Sequence, residues 1–333
     1  MTNHLGHGKT DTTLMGMGGS IYATENFDGP VPFDRVRDLF AGQVKFAPLY
    51  TMNSAGEMTT VPNRHALIND SDDVLNVTSK RYGIHQFSEV LIDNLLTLSS
   101  ASDTEVDVLG AGLLSNGAVG WVQVQTPTMK IAGDDIAPTI TLASSHNGTL
   151  VTSYRVGMFR FACSNQIGAL RRSDSNQRVY RLRHTMNSRV KFGEARHVLN
   201  LLFAEAEDFA TDVERLISTP VNDAQFGSMI REINPRPVGE AVTPIAMTRW
   251  ENRTDALRRL WTDDKRVAPY RNTAWGAVQA FTTWQQWERP FRSTGANGTS
   301  TRAARTMTDF LSGRWDKAED KITSTVLSMV AAA

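Results

Sequence analysis

The stretch from Glu105 to Cys163 constrains the fold most, because apolar and β-branched residues recur there in short runs. Four runs are predicted to be strands: Val106 to Leu114, Gly120 to Thr126, Thr139 to Ser145 and Val151 to Cys163. The dipeptide Asn147-Gly148 between the last two predicts a tight type I′ hairpin, since that turn needs positive φ at both central residues. The stretch is therefore predicted to fold as an antiparallel meander.

The last of these runs changes its inward face partway along. Tyr154, Val156 and Met158 occupy even positions, whereas Phe159 and Phe161 occupy odd positions, as does Cys163. A strand that keeps one face buried cannot change parity without an inserted residue, so the pattern predicts a β-bulge beside Gly157.

Helical spacing flanks the strands on both sides. After Asn76, the positions of Phe87, Val90, Leu91, Leu95 and Leu98 predict an amphipathic helix. A longer helix is predicted from Phe192 to Leu216, and others around 249–261, 272–288 and 301–329. The fold class is therefore α+β: an antiparallel β-sheet, a meander with hairpins, packed against long amphipathic helices, with a helical C-terminal part.

Composition suggests where these parts begin and end. Residues 1–30 contain six glycines without a sustained period and are predicted to form a flexible arm. The three prolines and one glycine of 234–244 predict a connector. The predicted organisation is thus an arm (1–30), an α+β core domain (31–233), the connector (234–244) and a helical C-terminal part (245–333).

Several function classes lack their usual sequence signals. No apolar run is long enough for a membrane helix, and the single cysteine, Cys163, can form neither an internal disulfide nor a thiolate metal cage. We therefore expect a protein of the host cytoplasm without a metal or cofactor. Cys163 with His146 or His184 could form a nucleophile and a base, although burial of a lone cysteine in an apolar strand is the commoner outcome. No catalytic dyad is predicted, and the sequence leaves open whether the chain is an enzyme.

Charge is divided unequally along a chain whose net charge is zero. Residues 1–150 contain 8 Lys and Arg and 16 Asp and Glu, whereas residues 151–333 contain 27 and 19. The two parts therefore have net charges of −8 and +8. Such asymmetry is typical of a polyanion-binding face or of acidic and basic surfaces that meet between copies, and chance clustering on solvated faces is an equal alternative.

The most basic segment runs from Arg171 to His197 and has a net charge of +6. Arginine binds phosphate oxygens in a planar, bidentate manner, and an aromatic ring can stack on a base. The alternative is that these arginines pair with the acidic N-terminal part. The predicted nucleic-acid-binding residues are Arg171, Arg172, Arg178, Tyr180, Arg181, Arg183, His184, Arg189, Lys191 and Arg196.

Large apolar residues recur every three positions from Trp275 to Trp287 and so spiral around a helix. Burial in the core explains this pattern most simply. A subunit interface through Trp284 and Trp287 is the alternative, and with the charge asymmetry it predicts a homo-oligomer.

Five segments in order resemble the phage/plasmid-like family catalogued as domain of unknown function 932. They are Lys80 to Ile84, Ser145 to Gly148, Arg160 to Asn165, Arg183 to Thr185 with Glu194 to Arg196, and Thr273 to Gly276. The resemblance implies a gene of a mobile element, near replication or recombination functions.

These observations lead to one hypothesis and two alternatives. The hypothesis is a phage DNA-metabolism protein that binds single-stranded DNA without sequence preference and assists strand annealing or recombination as an oligomer. The first alternative is a nuclease, which needs clustered carboxylates such as Asp72-Asp73 or Asp134-Asp135 to hold Mg²⁺. The second is a non-enzymatic protein that binds a host factor or a defence system.

Overall fold

The computed structural model describes most of the chain. The described residues are 11–17, 23–96, 106–131, 133–160, 165–167, 179–185, 209–239, 242–290 and 302–331.

Strands dominate the first part of the chain. They are β1 (Thr12–Met15), β2 (Glu25–Asn26), β3 (Lys45–Met52), β4 (Met58–Ile68), β5 (Val74–Ser79), β6 (Asp107–Leu114), β7 (Val119–Gln125), β8 (Met129–Ile131), β9 (Asp134–Ser145), β10 (Thr152–Arg160), β11 (Asn165–Ile167) and β12 (Val179–Leu182).

Helices dominate the second part. They are α1 (Phe33–Leu39), α2 (Ser88–Asp93, a π-helix that continues as α-helix over 94–96), α3 (209–217), α4 (Asp223–Ile233), α5 (Pro244–Asp263), α6 (Ala274–Thr283, extended by a π-helix over Trp284–Glu288), α7 (Arg302–Leu311) and α8 (Arg314–Ala331). None of the described helices is long and apolar enough to cross a bilayer. The structure confirms the α+β class and the helical C-terminal part.

The large sheet has the strand order β11-β10-β9-β7-β6-β1-β2, with β12 also paired to β10 and β8 to β9. All of its pairs are antiparallel except β1 with β2. A separate sheet has the order β3-β4-β5. The predicted meander is therefore present as β6, β7, β9 and β10, whereas the smaller sheet was not predicted.

Helices cover both faces of the large sheet. Val122 and Val124 of β7 share a hydrophobic cluster with α1 and α2, and Val119 and Trp121 share another with α7 and α8. A third cluster joins α3, α4, α5, α6 and α8 to Met158 of β10. Because this cluster contains residues from both sides of 234–244, the connector does not separate two cores.

Two predictions about β10 are wrong. Residues Ser153 to Arg160 pair one to one with β9, so there is no bulge beside Gly157. Tyr154, Arg155 and Val156 are all buried, which means that both faces of this strand are covered and large residues need not keep one parity. The β9–β10 hairpin exists, but its turn is not type I′: Gly148 has φ of 75° while Asn147 lies outside the left-handed region.

Part of the predicted flexible arm belongs to the sheet. Thr12–Met15 form β1, which pairs with β6 from Leu113 to Gly110. The backbone N–H of Gly16 then donates to the carbonyl of Leu109. A Cβ at Gly16 would lie 2.6 Å from the carbonyl oxygen of Gly29, so this glycine permits a close backbone approach.

Of the helix predicted from Phe192 to Leu216, the structure describes the last turns. They are helical over 209–217, with Phe209, Val213 and Leu216 buried. The predicted helix after Asn76 is confirmed as α2, with Val90, Leu91 and Leu95 buried.

Candidate nucleic-acid interface

The structure describes four of the ten predicted nucleic-acid-binding residues. Tyr180, Arg181, Arg183 and His184 lie on or just after β12, which pairs with β10 along one edge of the large sheet. The other six lie outside the described residues: Arg171, Arg172, Arg178, Arg189, Lys191 and Arg196. Their part in binding stays a prediction.

Arg181 and Arg183 are exposed, as the prediction requires. Tyr180 is only half-exposed, and its ring stacks on that of Tyr154 with 6.1 Å between centroids. Tyr180 also packs against the cluster beneath α1 and α2. One face of its ring is therefore already covered, which disfavours its predicted role in base stacking.

Two further basic segments lie beside β12. The backbone N–H of Gly83 donates to the carbonyl of His184 at 3.3 Å, and Tyr82 forms an isolated bridge with Thr185. These contacts place the connection after β5, which contains Lys80 and Arg81, against the end of β12. Ser79, the last residue of β5, pairs with Arg64 of β4, so Arg64 lies next to the start of the same connection.

We call the exposed cations of these three segments the basic strip: Arg64, Lys80, Arg81, Arg181 and Arg183. In the part of the chain that the structure describes, no carboxylate forms an ion pair with any of them. By contrast, the exposed Arg35 and Arg37 pair with Glu25 and Asp34 at 2.7 and 3.0 Å. The strip thus joins three cations of the acidic part of the sequence, Arg64, Lys80 and Arg81, to two of the basic part.

A cluster of three histidines and a tyrosine, of which His85 and His146 are buried and Tyr82 and His184 are half-buried, holds these segments together. The ring of His184 stacks on Tyr82 and on His85, with centroid distances of 5.1 and 4.1 Å. The Tyr82 hydroxyl lies 2.8 Å from Nδ1 of His184. The third histidine, His146, packs against Phe87 of the turn that begins α2, at 4.2 Å between centroids.

Hydroxyl groups extend this cluster into the large sheet. Oγ1 of Thr152 lies 2.7 Å from Nδ1 of His85, 2.8 Å from Oγ of Ser144 and 3.4 Å from Nε2 of His184. Thr152 begins β10 and Ser144 lies near the end of β9, so the network joins both strands of the hairpin to the basic segments. The hydrogen bonds form one chain from Ser144 to Tyr82.

Burial keeps the imidazoles of this cluster neutral. Desolvation, with a smaller contribution from repulsion by His85, lowers the pKa of His146 to about 4. Desolvation, followed by repulsion from His85 and His146, lowers the pKa of His184 to about 3. Burial also raises the pKa of the Tyr82 hydroxyl to about 12, so the hydroxyl stays protonated beside Nδ1 of His184.

A neutral imidazole does not attract phosphate as a cation, and the predicted part of His184 in binding nucleic acid stays a prediction. His184 lies between Tyr82 and His85 beneath the strip, and its backbone carbonyl fixes Gly83. The residue positions Arg183 and the Lys80-Arg81 pair from below.

The residues proposed for an oligomer interface lie largely inside the subunit. Trp284 is 7% exposed, and the guanidinium of Arg253 lies 4.2 Å above its ring. Every residue of α6 is buried within the chain, which shows that one subunit covers all sides of this helix. Trp287 is half-buried. The homo-oligomer itself stays a prediction.

The acidic pairs required by the nuclease alternative make local contacts. Asp72 forms an ion pair with Lys45 at 3.6 Å, Asp73 accepts a hydrogen bond from Asn69, and Asp135 pairs with Lys130 at 3.8 Å. Within the described ranges no three His, Cys, Asp or Glu residues are arranged to hold a metal ion. The side chain of Asp134 and all of Cys163 lie outside what is described.

Three of the five resemblance segments meet at this interface. Tyr82 and Gly83 come from the first, Ser145 and His146 from the second, and His184 and Thr185 from the fourth. The sequence model of the family described as domain of unknown function (DUF932) matches residues 74–307. The chain belongs to this family. No curated protein and no solved structure matches the chain.

Proposed function

We propose that the protein binds single-stranded DNA through the basic strip, without strong sequence preference. The observation that carries the proposal is the convergence of five exposed cations, from three separate segments, with no carboxylate of the described residues paired to them.

Such an arrangement has a physical cost that a polyanion removes. Like charges held close together repel one another, and a protein normally reduces this repulsion by interspersing acidic side chains. Binding of a nucleic-acid backbone replaces the repulsion by attraction and releases condensed counterions, which gives salt-dependent affinity. Lysine and arginine contacts to phosphate carry no sequence information, so binding by the strip alone is nonspecific.

The histidine cluster supports this function by holding two of the three segments together. Arg183 lies near the Lys80-Arg81 pair in the fold, because Gly83 hydrogen-bonds to His184 and Tyr82 bridges to Thr185. A surface already organised loses less conformational freedom when it binds a flexible strand. A role in strand annealing or recombination in a phage or plasmid setting, as an oligomer, is the biological part of this proposal.

Fluorescence anisotropy with a labelled oligothymidine tests the proposal. A variant in which all five cations of the strip are changed to glutamine should bind at least about 100-fold more weakly at 0.1 M salt, since each lost phosphate contact removes one released counterion. The matched control changes three exposed arginines on α4 and α5, Arg231, Arg249 and Arg258, to glutamine. Its affinity should remain within about threefold of the parent protein. Equal losses in both variants would contradict the proposal.

A further inference from the structure

Three arginines surround one buried carboxylate where the last helices meet. Oδ1 of Asp309, in α7, lies 3.0 Å from Nη1 of Arg314, the first residue of α8, and 3.4 Å from Nε of Arg305, one turn earlier in α7. Arg289, just after α6, approaches Oδ2 at 4.0 Å. We call these four residues the Asp309 cluster. Arg305 and Arg314 pair with no other carboxylate of the described residues, so two cations share one oxygen.

A neighbouring network has balanced charge. Arg266 pairs with Asp264 at 2.7 Å and with Glu288 at 3.1 Å, and Glu288 also pairs with Arg259. Two arginines therefore meet two carboxylates there. In the Asp309 cluster, by contrast, two arginines share a single carboxylate oxygen, which leaves positive charge that a bound anion can neutralise.

A fourth arginine lies near the Asp309 cluster. The guanidinium of Arg253, in α5, lies 4.2 Å above the ring of Trp284, and its buried Nε has no hydrogen-bond partner among the described residues. Desolvation, followed by repulsion from Arg289, lowers the pKa of Arg253. No carboxylate in the described ranges pairs with this guanidinium. An anion at the cluster would therefore also offset the repulsion between Arg253 and Arg289.

The strand register places the Asp309 cluster on the same face of the large sheet as Arg181. Directly paired residues point to one side of a sheet, and Arg181 pairs with Ser153, which pairs with Ala143. Ala143 belongs to the hydrophobic cluster that α7 forms on this face. Arg155, two residues after Ser153 and so on the same face, lies 5.3 Å above the ring of Phe310, next to the carboxylate of the cluster. Contacts on one face thus lead from Arg181 to the cluster.

We infer that the Asp309 cluster is a second anion-binding site, in which Arg305 and Arg314 bind a phosphate group of the single strand that contacts Arg181. This inference rests on the proposed function and extends its phosphate contacts from the basic strip to the C-terminal helices. Each guanidinium has five N–H donors, of which the contact with Asp309 uses only a part. The two side chains are 40% and 63% exposed, so their remaining donors can reach phosphate oxygens. Asp309 holds both side chains in place beforehand, which reduces the entropy that binding must overcome.

Fluorescence anisotropy with a long labelled oligothymidine tests the inference in the full-length protein. Arg305→Gln with Arg314→Gln should weaken binding by about 10-fold or more at 0.1 M salt. The slope of log Kd against log salt concentration should fall by about 1.4, because each lost phosphate contact removes about 0.7. The matched control, Arg231→Gln with Arg258→Gln, removes two exposed arginines of α4 and α5 and should leave both quantities unchanged.

A second variant separates a binding role from a structural one. Asp309→Asn removes the charge that competes with phosphate but keeps an acceptor for the two guanidinium groups, so it should strengthen binding by about fivefold. Arginines that served only to join α7 to α8 would give a lower melting temperature in both variants and no change in affinity. Each affinity is measured below the melting temperature that circular dichroism gives for that variant. Weaker binding by Asp309→Asn would contradict the inference.

The outcomes keep the two proposals apart. If the parent protein binds no oligothymidine, the proposed function fails, and the inference with it. If replacement of the strip's cations weakens binding but the variant of Arg305 and Arg314 keeps the parent's affinity and slope, the inference is wrong while the proposed function stands. If that variant loses affinity only for inorganic pyrophosphate, the site takes a small phosphate compound, and the inference is likewise wrong.

Discussion

Lowering the pH should destabilise the protein through His146. Its side chain is 1% exposed, its Nδ1 has no hydrogen-bond partner, and its ring packs on Phe87. Protonation in the folded state would place a charge in this apolar contact beside His85, so the folded protein resists it. The unfolded chain meets no such resistance and takes up a proton near pH 6.5.

The magnitude follows from the two pKa values. His146 has a pKa of about 4 when folded and about 6.5 when unfolded. Because the folded-state value is the lower one, the stabilisation is complete above about pH 6.5 and is lost as the pH falls from there toward 4. Linkage gives a loss of about 2 kcal/mol from this residue between pH 7 and pH 5. His184 and His85, whose pKa values are also lowered, act in the same direction.

Urea unfolding followed by tryptophan fluorescence at pH 7, 6 and 5 measures this loss. The difference in unfolding free energy between the parent and His146→Gln should shrink by about 2 kcal/mol from pH 7 to pH 5, because glutamine does not titrate. A parent-to-variant difference that stays constant across this range would refute the reasoning.

Three further substitutions test the packing described above. Gly276→Ala would place a Cβ 2.1 Å from the carbonyl oxygen of Tyr270 and should lower the free energy of unfolding by about 2 kcal/mol or more. Gly227→Ala in α4, where the nearest atom is 3.8 Å away, should be neutral or stabilising. Thermal melting of both variants checks this. Trp284→Ala should lower the free energy of unfolding by about 3 kcal/mol without altering the subunit number seen in sedimentation. A change to smaller particles would instead support the predicted role of Trp284 in an oligomer interface. Tyr82→Phe keeps the stacked ring but loses the hydrogen bond to His184, and should cost about 1 kcal/mol in urea unfolding; no loss would show that this bond contributes nothing.

Short-range sequence patterns predicted those strands and helices whose signals lie within the element itself. The meander from β6 to β10 has β-rich runs separated by turn residues, and helical spacing marks most of α5 and α6, although α5 begins at Pro244, inside the predicted connector. The smaller sheet was missed because its strands are largely exposed. Ala66 and Leu67 of β4 are buried, but most apolar residues of β3 are exposed, so no sustained buried face marks this hairpin.

The candidate interface was harder to predict because its parts are distant in sequence. In the sequence, Lys80 and Arg81 drew notice only as part of a segment that resembles the DUF932 family. Their position beside β12 depends on the bridge between Tyr82 and Thr185, which are about a hundred residues apart. The histidine cluster could not be predicted for the same reason, because no local pattern around His85 indicates contact with His146 or His184. Thr185 and Tyr82 come together through tertiary structure, which local periodicity does not encode.

The number of covered faces, which the sequence does not state, decides two points. The parity change in β10 needs no bulge, because burial on both faces of this strand allows either parity. The aromatic spiral of α6 left core burial and a subunit interface as alternatives, and α5 and α8 together with α3 and α4 cover this helix within the chain.

The salt dependence of binding to oligothymidine tests the central claim most directly. A plot of log Kd against log salt concentration gives a slope of about 0.7 per phosphate contact on a single strand. Replacing Arg64, Lys80, Arg81, Arg181 and Arg183 by glutamine should therefore lower the slope by about 3.5, whereas the control with Arg231, Arg249 and Arg258 replaced should keep the parent's slope. An unchanged slope in the first variant, or a parent protein whose affinity does not depend on salt, would contradict the account.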